Sequence, residues 1–178
     1  MSPSFGERYQ FQWSDLGDIE TGRPNLGLQV PVAVYRLAQY TMREALAQHY
    51  GAETAGRLLR DAGWIAGREL CLNLLDCDQP LNRFIAQLQA KLKELGIGVL
   101  RVEAADPERL TFTLTVSEDL DCSGLPVTGT TVCEYDEGFI AGILHAYTGK
   151  PFSVTEIDCW ATGDRTCRFA VHAEMPPV

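Results

Sequence analysis

Three cysteines and one glutamate near the C-terminal end of the 178-residue chain have the residue types of a metal site. Glu156 and Cys159 are close in sequence, Cys167 follows across one predicted turn, and Cys133 lies at the start of a predicted helix. Zinc takes four tetrahedral ligands, and thiolates combined with one carboxylate are acceptable. The four residues could therefore build a closed structural zinc site, in which no position is left for a reacting water molecule.

The sequence leaves two other interpretations of this set open. Cys133 and Cys167 could be small buried hydrophobic residues, with Glu156 as a surface carboxylate. Alternatively, Cys122 is a rival fourth ligand, and the site would then be entirely thiolate.

The predicted strands place a geometric condition on joint ligation by Glu156 and Cys159. These residues lie in a strand predicted from Phe152 to Trp160, which pairs with a strand from Thr166 to His172. In a regular strand, positions 156 and 159 face opposite sides. Both can reach one ion only if a bulge or turn interrupts the strand near Ile157-Asp158.

Other catalytic signatures are weak. Gly96-Ile97-Gly98 follows a predicted helix and lacks the third glycine of a dinucleotide-binding loop, since position 101 is Arg. We find no phosphate-binding loop and no recognisable spacing of a nucleophile and its base. Catalytic activity is therefore not expected.

Composition and charge restrict the class of protein. There are 15 Lys and Arg against 24 Asp and Glu, a net charge of −9, and 46% of the residues are hydrophobic. This balance provides a core and argues against a nucleic-acid partner. The sequence has no run long enough for a membrane span, and the segment from Met1 to Trp13 does not resemble a secretory signal. We expect a cytoplasmic protein with reduced cysteines rather than three disulfides.

Hydrophobic periodicity predicts four helices and four strands. The predicted elements are helices over Pro31–His49, Glu53–Leu75, 81–95 and Val132–Tyr147, and strands over Ile97–Ala105, Arg109–Ser117, Phe152–Trp160 and Thr166–His172. The order ααα-ββ-α-ββ is typical of an α+β fold with antiparallel strand pairs. We interpret residues 1–27 as an extended lead-in, 28–173 as a single domain and 174–178 as a tail.

Two glycines interrupt the second predicted helix. Gly63 and Gly67 each cost about 1 kcal/mol relative to alanine in a helix. A close backbone approach to another helix would explain the pair, although two merely tolerated glycines are an alternative. The predicted buried side of this helix comprises Leu58, Leu59, Ala62, Ile65, Ala66, Leu70 and Leu74.

The C-terminal motifs resemble the 4-vinyl-reductase-like domain family. The resemblance is carried by Val132-Cys133, Gly138-Phe139-Ile140-Ala141-Gly142, Gly149-Lys150-Pro151, Glu156-Ile157-Asp158-Cys159 and Gly163-Asp164-Arg165-Thr166-Cys167-Arg168-Phe169. That family includes the ligand-sensing domains of aromatic-responsive activators of the XylR type. Its fold is related to subunits of the TRAPP vesicle-tethering complex and, more distantly, to haem-based nitric oxide sensors.

The resemblance implies a TRAPP-like fold, a zinc ion, a ligand pocket between helices and sheet, and a homodimer formed through helices. It assigns the zinc to Cys133, Glu156, Cys159 and Cys167, and it leaves Cys122 outside the pattern. In TRAPP relatives a cysteine near a comparable helix start carries an acyl chain, which makes Cys77 a candidate acylation site.

Apolar side chains are the candidate lining of the implied pocket, although ordinary core packing is an alternative for each. They are Trp64, Phe84, Phe112, Phe139, Ile143 and Tyr147. We find no equivalent of the His and Trp that hold a phenol hydroxyl in the aromatic sensors. A larger apolar ligand, such as a hydrocarbon, lipid or tetrapyrrole, suits this composition better than phenol.

The sequence therefore predicts a non-catalytic binding module for an apolar or aromatic small molecule, with structural zinc. It would act as a sensor, carrier or assembly factor and pass its signal or ligand to an unidentified protein partner. The alternatives are a tetrapyrrole vinyl reductase or processing enzyme, and a structural interaction protein with a filled core.

Overall fold

A computed structural model describes residues 10–174 of the chain. The predicted lead-in over residues 1–9 and the tail over 175–178 lie outside the described residues. The helices are α1 (Ile19–Gly22), α2 (Val32–Tyr50), α3 (Ala52–Leu74), α4 (Leu81–Glu94) and α5 (Glu134–Thr148), and the strands are β1 (Val99–Asp106), β2 (Thr111–Ser117), β3 (Phe152–Asp158) and β4 (Cys167–Ala173). One-turn 3-10 helices cover Trp13–Leu16 and Trp160–Thr162.

The predicted α+β class and the order of the main elements are confirmed. In the part of the lead-in that the structure describes, however, the chain forms the 3-10 turn and the single turn α1 rather than only extended backbone. Asp18 begins α1, where its Oδ1 accepts a hydrogen bond from the Thr21 amide. Within residues 10–174, no helix has the length and hydropathy needed to cross a membrane.

The four strands form one antiparallel sheet in the order β1-β2-β4-β3. Alternate residues on β2, β3 and β4 are buried, as expected for a sheet with one face on a core. Helix α4 packs on this face through Phe84, Leu88 and Leu92, which are buried at its three- and four-residue spacing.

Glycines on α3 and α5 allow the two helix backbones to touch. A Cβ atom added at Gly63 or Gly67 would lie closer than 3.0 Å to backbone atoms of α5. Gly138 and Gly142 of α5 meet the backbone of α3 in the same way. The paired positions rise together along both helices, so α3 and α5 run in the same direction. The close approach predicted for Gly63 and Gly67 is therefore present.

This contact also decides which side of α3 is buried. Leu59 and Leu70 are buried as predicted, but Leu58, Ala62 and Ile65 are exposed, and the prediction is wrong for these three. The reason is that the small residues of α3, not its largest hydrophobic ones, face α5.

Helix α2 is attached to the domain through polar side chains. Arg36 donates to the Leu120 carbonyl, Gln39 donates to Asp121, and Arg43 forms an ion pair with Glu134. The apolar stripe that predicts the helix faces outward instead: Leu37 is 68% exposed, and none of the residues of α2 is buried. The hydrophobic face of α2 therefore does not belong to the core.

We expect Gly63→Ala to destabilise the fold by about 1–3 kcal/mol, because the added methyl group collides with the backbone of α5. Gly56→Ala is the matched control in the same helix. There the new methyl group would meet only the flexible side chain of Glu134, and alanine is the better helix former. Urea unfolding measures both, and equal stabilities of the two variants would contradict the proposed backbone contact.

Candidate metal and ligand site

Four buried cysteines converge at one end of the sheet. The sulfur atoms of Cys122, Cys133, Cys159 and Cys167 all lie within 4.8 Å of one another. The Sγ–Sγ distances are 3.8 Å from Cys133 to Cys159, 3.9 Å from Cys133 to Cys167 and 3.0 Å from Cys122 to Cys167. The cysteines are not joined by disulfides. This cluster could hold a metal ion.

Three elements bring the sulfurs together. Cys133 is the residue that precedes α5, and Cys167 is the first residue of β4. Cys159 follows β3 immediately, after a shift in the β3–β4 register between Glu156 and Asp158. This irregularity lies where the sequence analysis requires a bulge. It turns the chain so that Cys159 joins the other sulfurs.

Cys122 comes from the loop that follows β2, and a buried carboxylate fixes that loop. Oδ1 of Asp119 accepts hydrogen bonds from the backbone amides of Asp121, at 2.8 Å, and Cys122, at 3.0 Å. Burial, followed by the nearby charge of Asp121, raises the pKa of Asp119 to about 6. The loop thereby delivers a fourth thiol to the cluster.

Glu156 lies beside the sulfurs but outside the set of four. Its Oε2 accepts a hydrogen bond of 3.3 Å from the Cys133 amide, while Oε1 has no hydrogen-bond partner among residues 10–174. Burial raises the pKa of Glu156 to about 8. Its own amide donates to Oε1 of Glu137, at 2.8 Å. The structure thus brings all five sequence-predicted candidates together and separates the four thiols from the carboxylate.

The thiols influence one another's ionisation. Hydrogen bonds with Cys122 and the other sulfurs lower the pKa of Cys159 and raise those of Cys133 and Cys167. The first negative charge of the cluster therefore resides on Cys159. Ionising the remaining thiols in this buried place requires a compensating cation.

A cavity of about 340 Å³ lies between α3, α5 and the N-terminal turn. Its walls are mostly apolar and include Phe11, Trp13, Leu16, Ala66, Leu70, Ile97, Leu120 and Phe139. The polar groups on the walls are Tyr35, Glu69, Asp121, Tyr135 and Asp136. Its size is near the lower end of the range for small-molecule pockets.

A second cavity, of about 40 Å³, lies between α4, α5 and the sheet. Its lining is almost wholly aliphatic, with Asp119 and Asp136 as the polar members. Ile97, Asp136 and Phe139 line both cavities. Asp136 is 9% exposed, and burial, with the nearby charge of Asp119, raises its pKa well above the ordinary value.

The aromatic residues predicted to line a pocket are divided between these cavities and the core. Phe139 lines both cavities and Ile143 lines the smaller one. Phe84 is fully buried and stacks on Tyr147 with ring centroids 3.9 Å apart. Phe112 lies on the core face of β2, and Trp64 lies against His145.

Cys77 lies in the turn before α4, partly buried, with its sulfur 3.5 Å from that of Cys71. Burial, together with hydrogen bonding to Cys77, raises the pKa of Cys71 to about 12. Cys77 does not contribute to the walls of the two cavities described above.

The sequence analysis missed the carboxylates of the site. Asp119, Asp121 and Asp136 are all buried, although aspartate is normally exposed. A signal was available for Asp136, which directly precedes Glu137 and the small-residue run that packs α5 on α3. The two loop aspartates gave none, because their burial depends on the path of the loop.

Sequence comparison identifies a domain in the C-terminal part of the chain. Residues 112–173 match the model of the 4-vinyl-reductase domain. An uncharacterized protein of Methanocaldococcus jannaschii is 28% identical over 167 residues, which cover 90% of this chain and 87% of that protein.

Three solved structures share the fold at low sequence identity. The phenol-responsive sensory domain of the transcription activator PoxR, solved with phenol, has a TM-score of 0.62 at 16% identity, covering 83% of this chain and 76% of that one. A vinyl-4-reductase family protein of Methanocaldococcus jannaschii has a TM-score of 0.61 at 18% identity, covering 97% and 99%. A trafficking protein particle complex subunit 3 of Naegleria fowleri, covalently bound to palmitic acid, has a TM-score of 0.63 at 11% identity, covering 81% and 95%.

The match to this domain contains β2, α5, β3 and β4, and with them all four of the clustered cysteines. The predicted resemblance to the 4-vinyl-reductase-like family is confirmed, and the chain carries a 4-vinyl-reductase domain over residues 112–173.

Proposed function

We propose that this protein is a non-catalytic module that binds an apolar small molecule between its helices and its sheet and holds a structural zinc ion at the four cysteines. The observation that carries the proposal is the 340 Å³ apolar cavity, whose wall includes α5, the helix that begins directly after Cys133. The PoxR sensory domain with phenol provides a precedent for a small molecule in this fold.

The geometry of the cysteine cluster fits zinc. In a tetrahedral site with Zn–S bonds of about 2.3 Å, neighbouring sulfurs are roughly 3.8 Å apart. The distances from Cys133 to Cys159 and to Cys167 agree with this value, and Cys122 and Cys167 would separate slightly. Zinc would also supply the charge that buried thiolates need. Four protein ligands leave no position for a substrate, which gives the ion a structural role.

In this proposal Cys122 is the fourth ligand and Glu156 orients Cys133 through its amide. We therefore expect Cys122→Ser to lose stoichiometric zinc and to lower the melting temperature as strongly as Cys159→Ser does. Glu156→Gln should retain the metal, because an amide oxygen can still accept the Cys133 hydrogen bond. Metal analysis of the purified variants and thermal unfolding measure both effects.

Cys71→Ser is the matched control, because Cys71 is a buried thiol outside the cluster. It should keep the zinc content of the wild type. If Glu156→Gln loses the metal while Cys122→Ser retains it, the ligand set is the one that the family resemblance implies. A wild-type protein without stoichiometric metal would contradict the zinc proposal altogether.

Ligand binding is tested by filling the cavity. Ala66 lies on its wall, so Ala66→Phe should place a ring in the volume and weaken binding of an apolar fluorescent probe by about tenfold or more. Ala86→Phe, on the exposed side of α4, is the control and should bind as the wild type does. Mass spectrometry of an organic extract of the purified protein identifies a co-purifying lipid, hydrocarbon, aromatic compound or tetrapyrrole.

Equal probe binding by wild type and Ala66→Phe would contradict a ligand site in this cavity. Absence of both probe binding and an extractable molecule would favour a structural interaction protein. Steady turnover of a divinyl tetrapyrrole with reduced nicotinamide would instead identify a reductase.

The outward apolar face of α2 and α3 supports self-association. Leu58, Ile65 and Leu72 are exposed on α3 at seven-residue intervals, a spacing typical of helices that pack on one another. Val34 and Leu37 extend this apolar surface onto α2. A second copy of the chain offers a matching surface, and we propose a homodimer formed by these helices.

We expect Leu37→Glu to shift a dimer towards monomer, because it places a charge on the proposed interface. Leu95→Glu changes a similarly exposed leucine just after α4, away from that face, and should leave the assembly unchanged. Size-exclusion chromatography with light scattering measures the mass. A wild type that remains monomeric at micromolar concentration would contradict the homodimer.

A further inference from the structure

A buried carboxylate oxygen faces the junction of the two cavities without a hydrogen-bond donor. Asp136 is 9% exposed, it lines both cavities, and its Oδ2 has no hydrogen-bond partner among residues 10–174. An unpaired buried carboxylate oxygen is costly, because it loses water and gains nothing in return. Its place on a cavity wall therefore points to a ligand that supplies the donor.

The other carboxylates on these walls already have partners. Asp121 accepts hydrogen bonds from Tyr35, at 2.8 Å, and from Gln39. Asp119 accepts two backbone amides of its loop, and Glu69 lies 3.3 Å from the guanidinium group of Arg68. Asp136 thus differs from its neighbours in the lack of a donor to Oδ2.

The sign of the charge around Asp136 restricts the ligand further. Among the described residues that line either cavity, the ionisable ones are acidic or phenolic, and none is Lys, Arg or His. An anionic head group would be repelled here. A cationic head group would supply both the missing donor and the missing positive charge.

The position of Asp136 in its helix favours the charged form of such a pair. It lies in the first turn of α5, where the helix dipole stabilises a negative side chain. The aliphatic and aromatic side chains around it, including Ile97 and Phe139, are suited to the apolar body of the same ligand.

We propose that the pocket recognises an apolar amine, whose protonated nitrogen donates a hydrogen bond to Asp136 while its hydrocarbon part occupies the apolar cavity. This inference rests on the proposed function, since it requires the cavity to be a binding site. It adds the chemical class of the ligand and the residue that selects it.

The test uses the full chain with its metal content measured and three probes of nearly equal size: phenethylamine, phenethyl alcohol and phenylacetate. Isothermal titration calorimetry compares their affinities. The amine should bind about tenfold or more tightly than the alcohol, as expected for a charge-assisted hydrogen bond, and phenylacetate should bind most weakly.

Asp136→Asn should abolish the preference for the amine and leave the affinity for the alcohol nearly unchanged. Glu69→Gln is the matched control, because it removes a negative charge from the same cavity at a carboxylate that already has a partner. It should keep the preference. The comparison of probes on the wild type stands even if a variant fails to fold.

Equal affinity for amine and alcohol, or a preference for the amine that survives in Asp136→Asn, would overturn the inference and leave the proposed apolar pocket intact. Failure of all three probes and of the apolar fluorescent probe would overturn both. Asp119, Cys133 and Asp136 also lie within 4.8 Å of one another. Two zinc ions per chain, with the second lost in Asp136→Asn, would therefore assign Asp136 to a metal and overturn the amine.

Discussion

The backbone contact between α3 and α5 is the constraint on which the site depends. Because glycines face each other across it, α5 lies closer to α3 than any pair of larger residues would permit. Both Nε and Nη2 of Arg60 donate to Glu137, and Glu137 in turn accepts the amide of Glu156. This chain of contacts fixes the first turn of α5 against both α3 and β3, and that turn places Cys133 and Asp136.

The proposed metal and the proposed ligand would share these supports. The cysteines tie together the loop after β2, the start of α5 and the β3–β4 hairpin, while the same loop and helix contribute Asp119 and Asp136 to the cavities. Structural zinc in small domains contributes an apparent binding free energy of about 10–16 kcal/mol. A metal at the sulfurs would thus hold the polar end of the pocket in place without contacting the ligand.

Local pattern predicted the elements and some of their contacts, but not which face of each helix is buried. The alternation of β2, the spacing of Phe84, Leu88 and Leu92, and the glycines of α3 each reflect a nearby physical requirement that one sequence displays. The place of Cys122 beside Cys167 depends on a loop held by Asp119, and no periodicity reports such a loop. Hydrophobicity alone also misjudged α3, because backbone contact through glycine takes priority over leucine burial.

Helix α2 connects the proposed pocket with the proposed interface. On one side, Tyr35 lines the larger cavity and donates to Asp121; on the other, Leu37 lies on the exposed apolar face. A ligand that changes the hydrogen bonds of Asp121 therefore acts on the polar contacts that attach this helix. If the position of α2 affects self-association, ligand binding and dimer formation must be thermodynamically linked, and each would change the affinity of the other by the same factor. A binding domain without a catalytic group could report its ligand in this way.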